Sequence, residues 1–380
     1  MSETPFGISL RFALFYGALF FVLGVLLPFW PIWLKSRGLS AADIGVILAV
    51  GPWIRVLVDP VITRTADHSG SGRRMLVLAA IVSLIAFSGF ALVSSFWLIL
   101  LITLVFAPSY HALIPLGDSQ AMSAVERYGL DYGRLRLWGS LTFIAGTLGI
   151  GALLTGRNPD LILVVVSVGL VVVLVTTFLL REQNEARGHA RWPEVLALVR
   201  GPRFIAFILA ASAVQASHGV LNGFSGIHWK AAGHSELVVG LLWGGSVLVE
   251  VVLFAFSGAV VARLGASRLL LLGAAACLLR WAILAETTFL PGLVIAQLLH
   301  AVTFGATYLA TMHFISAHAP EGLKATAQGA YASVSGVVMG FSLIAAGKLY
   351  GAFAGGAFYG MAGLAAVALL LAFAALRRNP

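Results

Sequence analysis

Seven ionisable side chains lie inside long apolar runs of this sequence or at the edge of one. They are Arg55, Asp59, Asp118, Arg136, Glu250, Arg280 and His300. A charged group in such a run costs roughly 2.5–3.5 kcal/mol when the run enters a membrane, so each of them calls for a function. Carboxylate and imidazole groups can exchange protons, and guanidinium groups bind anions. The chemistry to expect is therefore proton exchange and the binding of a charged or polar solute.

Polar residues recur at helical spacing around three of these groups. The stripes are His111–Pro115–Asp118, Gln215–His218–Asn222–Ser225 and His300–Thr303–Thr307–Thr311. Residues at such spacing share one face of a helix, and a polar face inside a membrane meets a cavity or a neighbouring helix. His218 is accordingly a candidate substrate ligand. The alternative is a histidine that only hydrogen-bonds within the packed interior.

The elements that must position these groups are apolar segments of membrane-spanning length. The chain has 380 residues, 60% of them hydrophobic and 10% charged, against about 45–50% apolar and about 25% charged in soluble domains. A helix of about 20 apolar residues crosses a bilayer core. Twelve such runs occur, at 9–34, 42–64, 75–94, 97–122, 134–154, 160–180, 204–229, 237–261, 268–286, 290–316, 326–348 and 354–376. The sequence predicts an all-α membrane protein with twelve transmembrane helices.

Charged residues divide the chain and orient it. The charge-rich segment 181–203 is interpreted as a cytoplasmic linker between a six-helix bundle at 1–180 and a second one at 204–380. Most of the 24 Lys and Arg residues lie in the segments that share a side with the N-terminus. Under the positive-inside rule both termini are then cytoplasmic. The net charge of +9 comes from these short segments rather than from one basic face, so no nucleic-acid partner is predicted.

The sequence lacks the motifs of enzymes and metalloproteins. Its single cysteine, Cys277, excludes an internal disulfide and a cysteine-based metal cluster. No GxxxxGK(S/T), GxSxG or HExxH pattern occurs, so neither ATP-driven transport nor catalysis is predicted, and no cofactor or metal. A sensor should carry a sizeable soluble domain, and the longest loop is only segment 181–203. A membrane enzyme and a sensor are therefore the weakest alternatives.

The segment PVITRTADHSGSGRRM, after the second run, resembles the signature loop of the major facilitator superfamily. Asp67, Gly70, Arg73 and Arg74 match that signature, and Thr63 stands where it has its leading glycine. The resemblance implies two pseudo-symmetric six-helix bundles that work by alternating access. It also implies a conformational gating role for Asp67, Arg73 and Arg74.

Five further segments narrow the resemblance. They are LPFWPIWLK (27–35), DYGRLRLWGS (131–140), VEVVLFA (249–255), LLRW (278–281) and LLHAVTF (298–304). Together they are similar to the bacterial phenylpropionic acid transporters and, more widely, to the lactose-type oligosaccharide:proton symporters. That kinship implies a multi-pass, monomeric protein of the bacterial cytoplasmic membrane whose partners are a small-molecule substrate, protons and lipid.

The lactose-type resemblance also implies roles for individual residues in the first bundle. Asp118 and Arg136 match the pair that binds substrate across two helices, and the alternative is a structural salt bridge. Phe143 stands where the symporters stack a sugar ring on a tryptophan, which argues against a sugar. Arg55 would suit an anionic substrate if it faces the binding site, unless Asp59 neutralises it one helical turn away.

In the second bundle, Arg280 and His300 match the network that translocates the proton. Two departures matter: Glu250 lies about one turn from the expected carboxylate, and Thr303 replaces a second one. Glu250 is the remaining acid in the membrane interior of this bundle and the candidate proton carrier. The alternative is a permanent ion pair between Glu250 and Arg280.

The leading hypothesis is proton-coupled import of a small aromatic carboxylate of the 3-phenylpropionate type. Asp118, Arg136 and the Arg280 group would hold the substrate, and Glu250 with His300 would handle the proton. Symport of a sugar or a nucleoside is the first alternative, and efflux of lipophilic compounds is the second.

Overall fold

The first part of the chain forms six helices. A computed structural model describes residues 4–69, 72–181, 201–319 and 323–377. The six helices are α1 (Pro5–Ser36), α2 (Ala41–Ser69), α3 (Gly72–Gly89), α4 (Phe96–Tyr128), α5 (Tyr132–Leu154) and α6 (Leu161–Leu179). Each coincides with one of the first six apolar runs and extends most of them by a few residues.

The rest of the described chain supplies six more crossings, two of them interrupted. The helices are α7 (Pro202–Ala216), α8 (Gly219–Ala231), α9 (Glu236–Ala255), α10 (Ser257–Glu286), α11 (Leu290–Leu298), α12 (Thr307–His318), α13 (Lys324–Phe353) and α14 (Ala357–Arg377). The seventh crossing comprises α7 and α8. The tenth comprises α11, a π-helical turn at Ala301–Ala306 and α12.

Length and composition qualify eleven stretches of the described chain to cross a membrane. The last stretch, Thr326–Leu376, covers nearly all of both α13 and α14. A break with a positive φ of 48° at Ala354 separates these two helices. The described residues therefore make twelve crossings and contain no β-strand, which confirms the predicted fold class. The eighth crossing is interrupted at Phe256, before the predicted end at 261, and α10, which follows, is itself broken at Gly265, where φ is 71°.

The contacts divide the chain into two compact units. Unit 1 is Met1–Arg187 with Gly233–Gly244, and unit 2 is Gly188–Ala232 with Gly245–Pro380. The predicted linker, 181–203, lies outside the described residues from 182 to 200. Within unit 1, α1 packs on α5 and α6, and α3 packs on α4 and α6. Within unit 2, α7 packs on α13 and α14, and α10 packs on α12 and α14. The same packing order thus occurs in both units, as two pseudo-symmetric six-helix bundles require.

Helices α1 and α5 approach closely enough for backbone contact. A Cβ atom on Gly24 would lie 2.4 Å from the Phe143 carbonyl oxygen, and one on Gly146 would lie 2.7 Å from the Phe21 carbonyl oxygen. Both distances are too short for any side chain, so only glycine fits. At its other end, α1 is tied to the start of α6, because Trp33 Nε1 donates to Asp160 Oδ1 (3.1 Å). Small residues at helix contacts are the usual basis of close packing in membranes.

Gly146→Ala is expected to destabilise the protein, whereas Gly149→Ala is not. Both glycines lie in the middle of α5, so alanine should raise helix propensity by up to about 1 kcal/mol at either position. Only at Gly146 does the new methyl group meet a backbone oxygen, which typically costs about 1–3 kcal/mol. A Cβ atom added at Gly149 would meet no other atom within 4 Å. Thermal unfolding in detergent should give a lower midpoint for Gly146→Ala than for Gly149→Ala, and equal midpoints would contradict the close contact.

Candidate functional site

The Asp118 carboxylate is the centre of a polar cluster in unit 1. It lies on α4, and two phenol groups donate to its Oδ1 atom: Tyr16 from α1 at 2.7 Å and Tyr132 from α5 at 3.0 Å. Tyr16 is fully buried. Arg136, also on α5, holds its Nη1 atom 3.9 Å from the same oxygen. Three helices therefore converge on one carboxylate oxygen.

Arg136 is near Asp118 without forming a hydrogen bond to it. Its guanidinium lies over the ring of Phe20, 4.4 Å from the centroid, and 5.2 Å from that of Tyr16. Its Nη1 atom is shielded from solvent and has no hydrogen-bond partner among the described residues. Cation–π contact stabilises a guanidinium without using its N–H groups. The side chains of Arg136 and Asp118 are 32% and 30% exposed, so Arg136 keeps donors for a further acceptor.

A second polar cluster lies in unit 2 around Arg280, which is fully buried on α10. Its Nη1 atom donates to Thr303 Oγ1 (2.8 Å) and lies 3.1 Å from His300 Nδ1 and 3.3 Å from His218 Nε2. Its Nη2 atom donates to Gln297 Oε1 (2.7 Å). Two hydrogens on Nη1 are shared among three acceptors. Arg280 is thus largely committed to protein groups, unlike Arg136.

The contacts of Arg280 fix the tautomers of both histidines. A guanidinium only donates, so His300 must accept at Nδ1 and His218 must accept at Nε2. His218 Nδ1 then donates to the backbone oxygens of Val214 (3.0 Å) and Gln215 (3.2 Å). His300 carries its proton on Nε2, which lies 3.3 Å from Glu250 Oε2. A path of hydrogen bonds therefore runs from Glu250 through His300 to Arg280.

Glu250 is the acid of this second cluster. Its side chain is 16% exposed, and it pairs with His300 across two crossings. The described residues show no ion pair between Glu250 and Arg280, which was the alternative considered above, because His300 lies between the two groups. Gly305 lies beside the acid, since a Cβ there would lie 3.4 Å from Glu250 Cγ and 2.9 Å from Leu253 Cδ2. The carboxylate is thus not neutralised by direct contact with a fixed cation.

Other predicted site residues lie apart from these two clusters. Phe143 is 5% exposed, and its backbone packs against Gly24. Arg55 is exposed and lies close to His111. The side chains of Asp59 and Asp67 lie outside the described residues, as does Gly70. Of the predicted gating residues, Arg73 donates from Nη2 to the Phe178 carbonyl (3.0 Å), which joins α3 to the end of α6, and Arg74 is exposed.

Three contributors were absent from the predicted site: Tyr16, Tyr132 and Gln297. A signal existed for each. A tyrosine hydroxyl in an apolar run needs a hydrogen-bond partner, and Tyr132 lies in the segment DYGRLRLWGS. Gln297 lies three residues before His300, at the spacing of the predicted stripe. In that stripe Thr303, Thr307 and Thr311 are all fully buried, within the π-helical turn and after it.

The side chains of the two clusters are of the types that bind anions and exchange protons, and the chain is similar to known transporters. Residues 9–369 match the model of the MFS_1 like family. The chain is 36% identical over 369 residues to the probable 3-phenylpropionic acid transporter of Escherichia coli (strain K12), covering 94% of this chain and 96% of that protein. It is 26% identical over 325 residues to the maltose permease of Geobacillus stearothermophilus, covering 85% and 82% of the two chains.

A solved structure shares the fold at low sequence identity. The crystal structure of a mutant of the nucleoside transporter NupG superposes with a TM-score of 0.87 at 17% identity, covering 97% of this chain and 99% of that one. The family model and the relative at 36% identity each cover nearly the whole chain. The chain therefore belongs to the MFS_1 like family and is a multi-pass membrane protein, a secondary transporter of the major facilitator type.

Proposed function

We propose that this transporter imports a small aromatic carboxylate of the 3-phenylpropionate type together with protons. The observation that carries the proposal is the state of Arg136, a cation whose side chain is 32% exposed, that rests on aromatic rings and stays 3.9 Å from Asp118. A planar guanidinium is suited to a carboxylate, to which it can donate two parallel hydrogen bonds. The relative from Escherichia coli, a probable 3-phenylpropionic acid transporter, supports the same substrate class.

The aromatic part of the substrate has a complementary surface beside Arg136. Phe20 is partly exposed, and aromatic rings pair in offset or edge-to-face geometry with a gain of about 0.5–1.5 kcal/mol beyond area burial. A carboxylate on Arg136 would place the rest of a short arylalkyl acid near that ring. The negative charge of Asp118 would repel a substrate that carries more than one negative charge.

The proton is assigned to Glu250, with His300 as its partner. Glu250 is a mostly buried acid on α9, and it contacts a neutral imidazole rather than a fixed cation. Arg280 would hold His300 in one orientation and one tautomer. Proton binding on Glu250 would remove a buried charge, which makes the carrier loaded with proton and substrate easier to reorient in the alternating-access cycle of this class.

The proposed setting is the bacterial cytoplasmic membrane, with both termini cytoplasmic and the protein monomeric. The distribution of Lys and Arg supports this orientation. It would place Arg73 and its contact with the end of α6 on the cytoplasmic side.

A neutral sugar is the second candidate substrate, because the chain is also 26% identical to a maltose permease. Sugar sites of the lactose type stack the ring on an exposed aromatic side chain, and Phe143, at the corresponding position, is 5% exposed. Nucleoside symport and efflux of lipophilic compounds have less support from the two clusters.

Uptake into sealed, right-side-out membrane vesicles tests the proposal directly. Labelled 3-phenylpropionate should accumulate under an inward proton gradient in vesicles that contain the protein and not in vesicles from cells that lack it. Excess unlabelled 3-phenylpropionate should abolish the signal, whereas lactose, maltose and uridine should not. Accumulation of a sugar or a nucleoside, with no competition by 3-phenylpropionate, would refute the carboxylate assignment.

A further inference from the structure

We propose that Tyr16 and Tyr132 determine the preference for an anionic substrate, because their hydroxyl groups hold Asp118 and leave Arg136 available. The inference rests on the proposed function for its substrate class. It adds two positioning residues that reach the substrate only through Asp118 and Arg136. Both were outside the site expected from the sequence.

The distances set the order of the contacts around Asp118. Its Oδ1 atom accepts from Tyr16 at 2.7 Å and from Tyr132 at 3.0 Å, whereas Arg136 Nη1 stays at 3.9 Å. Hydrogen bonds to a charged acceptor are stronger than those between neutral groups. The carboxylate therefore draws its stabilisation from two neutral phenols and not from a hydrogen bond to the guanidinium. Arg136 rests on Phe20 instead, at 4.4 Å from the ring centroid.

Removal of one phenol should redirect Arg136. A carboxylate that loses a donor in a half-buried site is left undersolvated, and that loss costs more than the bond itself contributed. The cation at 3.9 Å is the nearest replacement, and a shift of about 1 Å would bring it to the ordinary distance of a charge-assisted hydrogen bond. The substrate carboxylate would then have to displace Asp118 from Arg136. Affinity for an anion would fall, and affinity for an uncharged analogue would not.

Tyr16→Phe and Tyr132→Phe test this in the purified full-length transporter. Dissociation constants are measured for 3-phenylpropionate and for its uncharged amide. Each variant should weaken binding of the carboxylate by about tenfold, which corresponds to the loss of about 1.4 kcal/mol. Binding of the amide should stay within about twofold of the wild-type value. Equal weakening for both ligands would overturn the inference, because that is the result of a general packing defect.

A control variant and a double variant test the same inference further. Tyr110→Phe removes a buried phenol on α4 whose hydroxyl donates to the Leu19 carbonyl at 3.1 Å, away from Asp118. This variant should leave the ratio of the two affinities unchanged. In an Asp118→Asn background, Tyr16→Phe should cause no further loss of carboxylate affinity, because no anion remains to capture Arg136. The same tenfold loss in that background would overturn the inference.

A measurement without substrate separates this inference from the proposed function. Phenylglyoxal reacts with free guanidinium groups, and mass spectrometry follows its reaction at Arg136. Modification should be slower by about threefold or more in Tyr16→Phe than in wild type, since a fall of that size reflects the guanidinium becoming engaged by Asp118. An unchanged rate refutes the inference whatever the substrate is. A slower rate together with no binding of 3-phenylpropionate to the wild type would refute only the proposed substrate.

Discussion

Replacement of Glu250 by glutamine is expected to abolish accumulation of the substrate against its gradient while exchange of substrate across the membrane continues. The glutamine oxygen can still accept from His300 Nε2, which lies 3.3 Å from Glu250 Oε2, so the local structure should persist. An amide cannot take up or release a proton, so the movement of substrate is no longer tied to the proton gradient. Uptake under an imposed pH gradient and exchange between preloaded vesicles measure the two activities separately.

Glu236→Gln is the matched control for this experiment. Glu236 lies in the first turn of the same helix, α9, and is 7% exposed, so it is a buried acid outside the His300 contact. Accumulation should persist in this variant. Accumulation at the wild-type level in Glu250→Gln would show that the proton travels elsewhere, and Asp118 would be the next acid to test in the same way.

The driving force for uptake is expected to be the pH gradient and not the membrane potential. A carboxylate that moves with one proton carries no net charge, so the potential does no work on it. A neutral sugar with one proton would gain about 2.3 kcal/mol per 100 mV, roughly a fifty-fold concentration ratio. Each unit of pH difference contributes about 1.36 kcal/mol to either substrate. Clamping the potential with valinomycin should therefore change accumulation little, while collapse of the pH gradient should stop it.

Uptake driven by the membrane potential would contradict the expected driving force. Uptake that follows the potential at zero pH gradient would exclude one-to-one symport of a carboxylate with a proton. The remaining explanations would be a neutral substrate or more than one proton per anion. Repeating the measurement with the uncharged amide of the substrate distinguishes these two explanations. If the transported species is neutral, uptake of the amide should depend on the potential in the same way as uptake of the substrate.

The twelve crossings could be predicted from the sequence, because a run of about 20 consecutive apolar residues is typical of a transmembrane helix. The breaks inside them could not. The interruption between α7 and α8 at Ser217 and His218 and the π-helical turn before Thr307 each change only a few backbone hydrogen bonds. Neither alters the apolar composition that identifies a crossing. Their positions depend on packing against other helices.

The charged members of the two clusters could be selected as candidates from the sequence, since a charge in an apolar run is costly enough to stand out. Their partners could not. Glu250 contacts His300 and not Arg280. This contact depends on which faces of the eighth and tenth crossings pack together. Tyr16 was missed because α1 is rich in aromatic residues, and the need of a buried tyrosine hydroxyl for a partner does not tell which residue supplies that partner. Which side chains meet is a property of the packed bundle.

The glycine contacts between α1 and α5 imply that the proposed anion site is preorganised. With Gly24 against the Phe143 carbonyl and Gly146 against the Phe21 carbonyl, neither helix can slide along the other without a collision of backbone atoms. Tyr16 and Arg136 are carried on these two helices, so their spacing is held by the main chain. A ligand then meets donors and rings already at their working distance, and little conformational entropy is lost on binding. Selectivity at such a site is built into the scaffold before the substrate arrives.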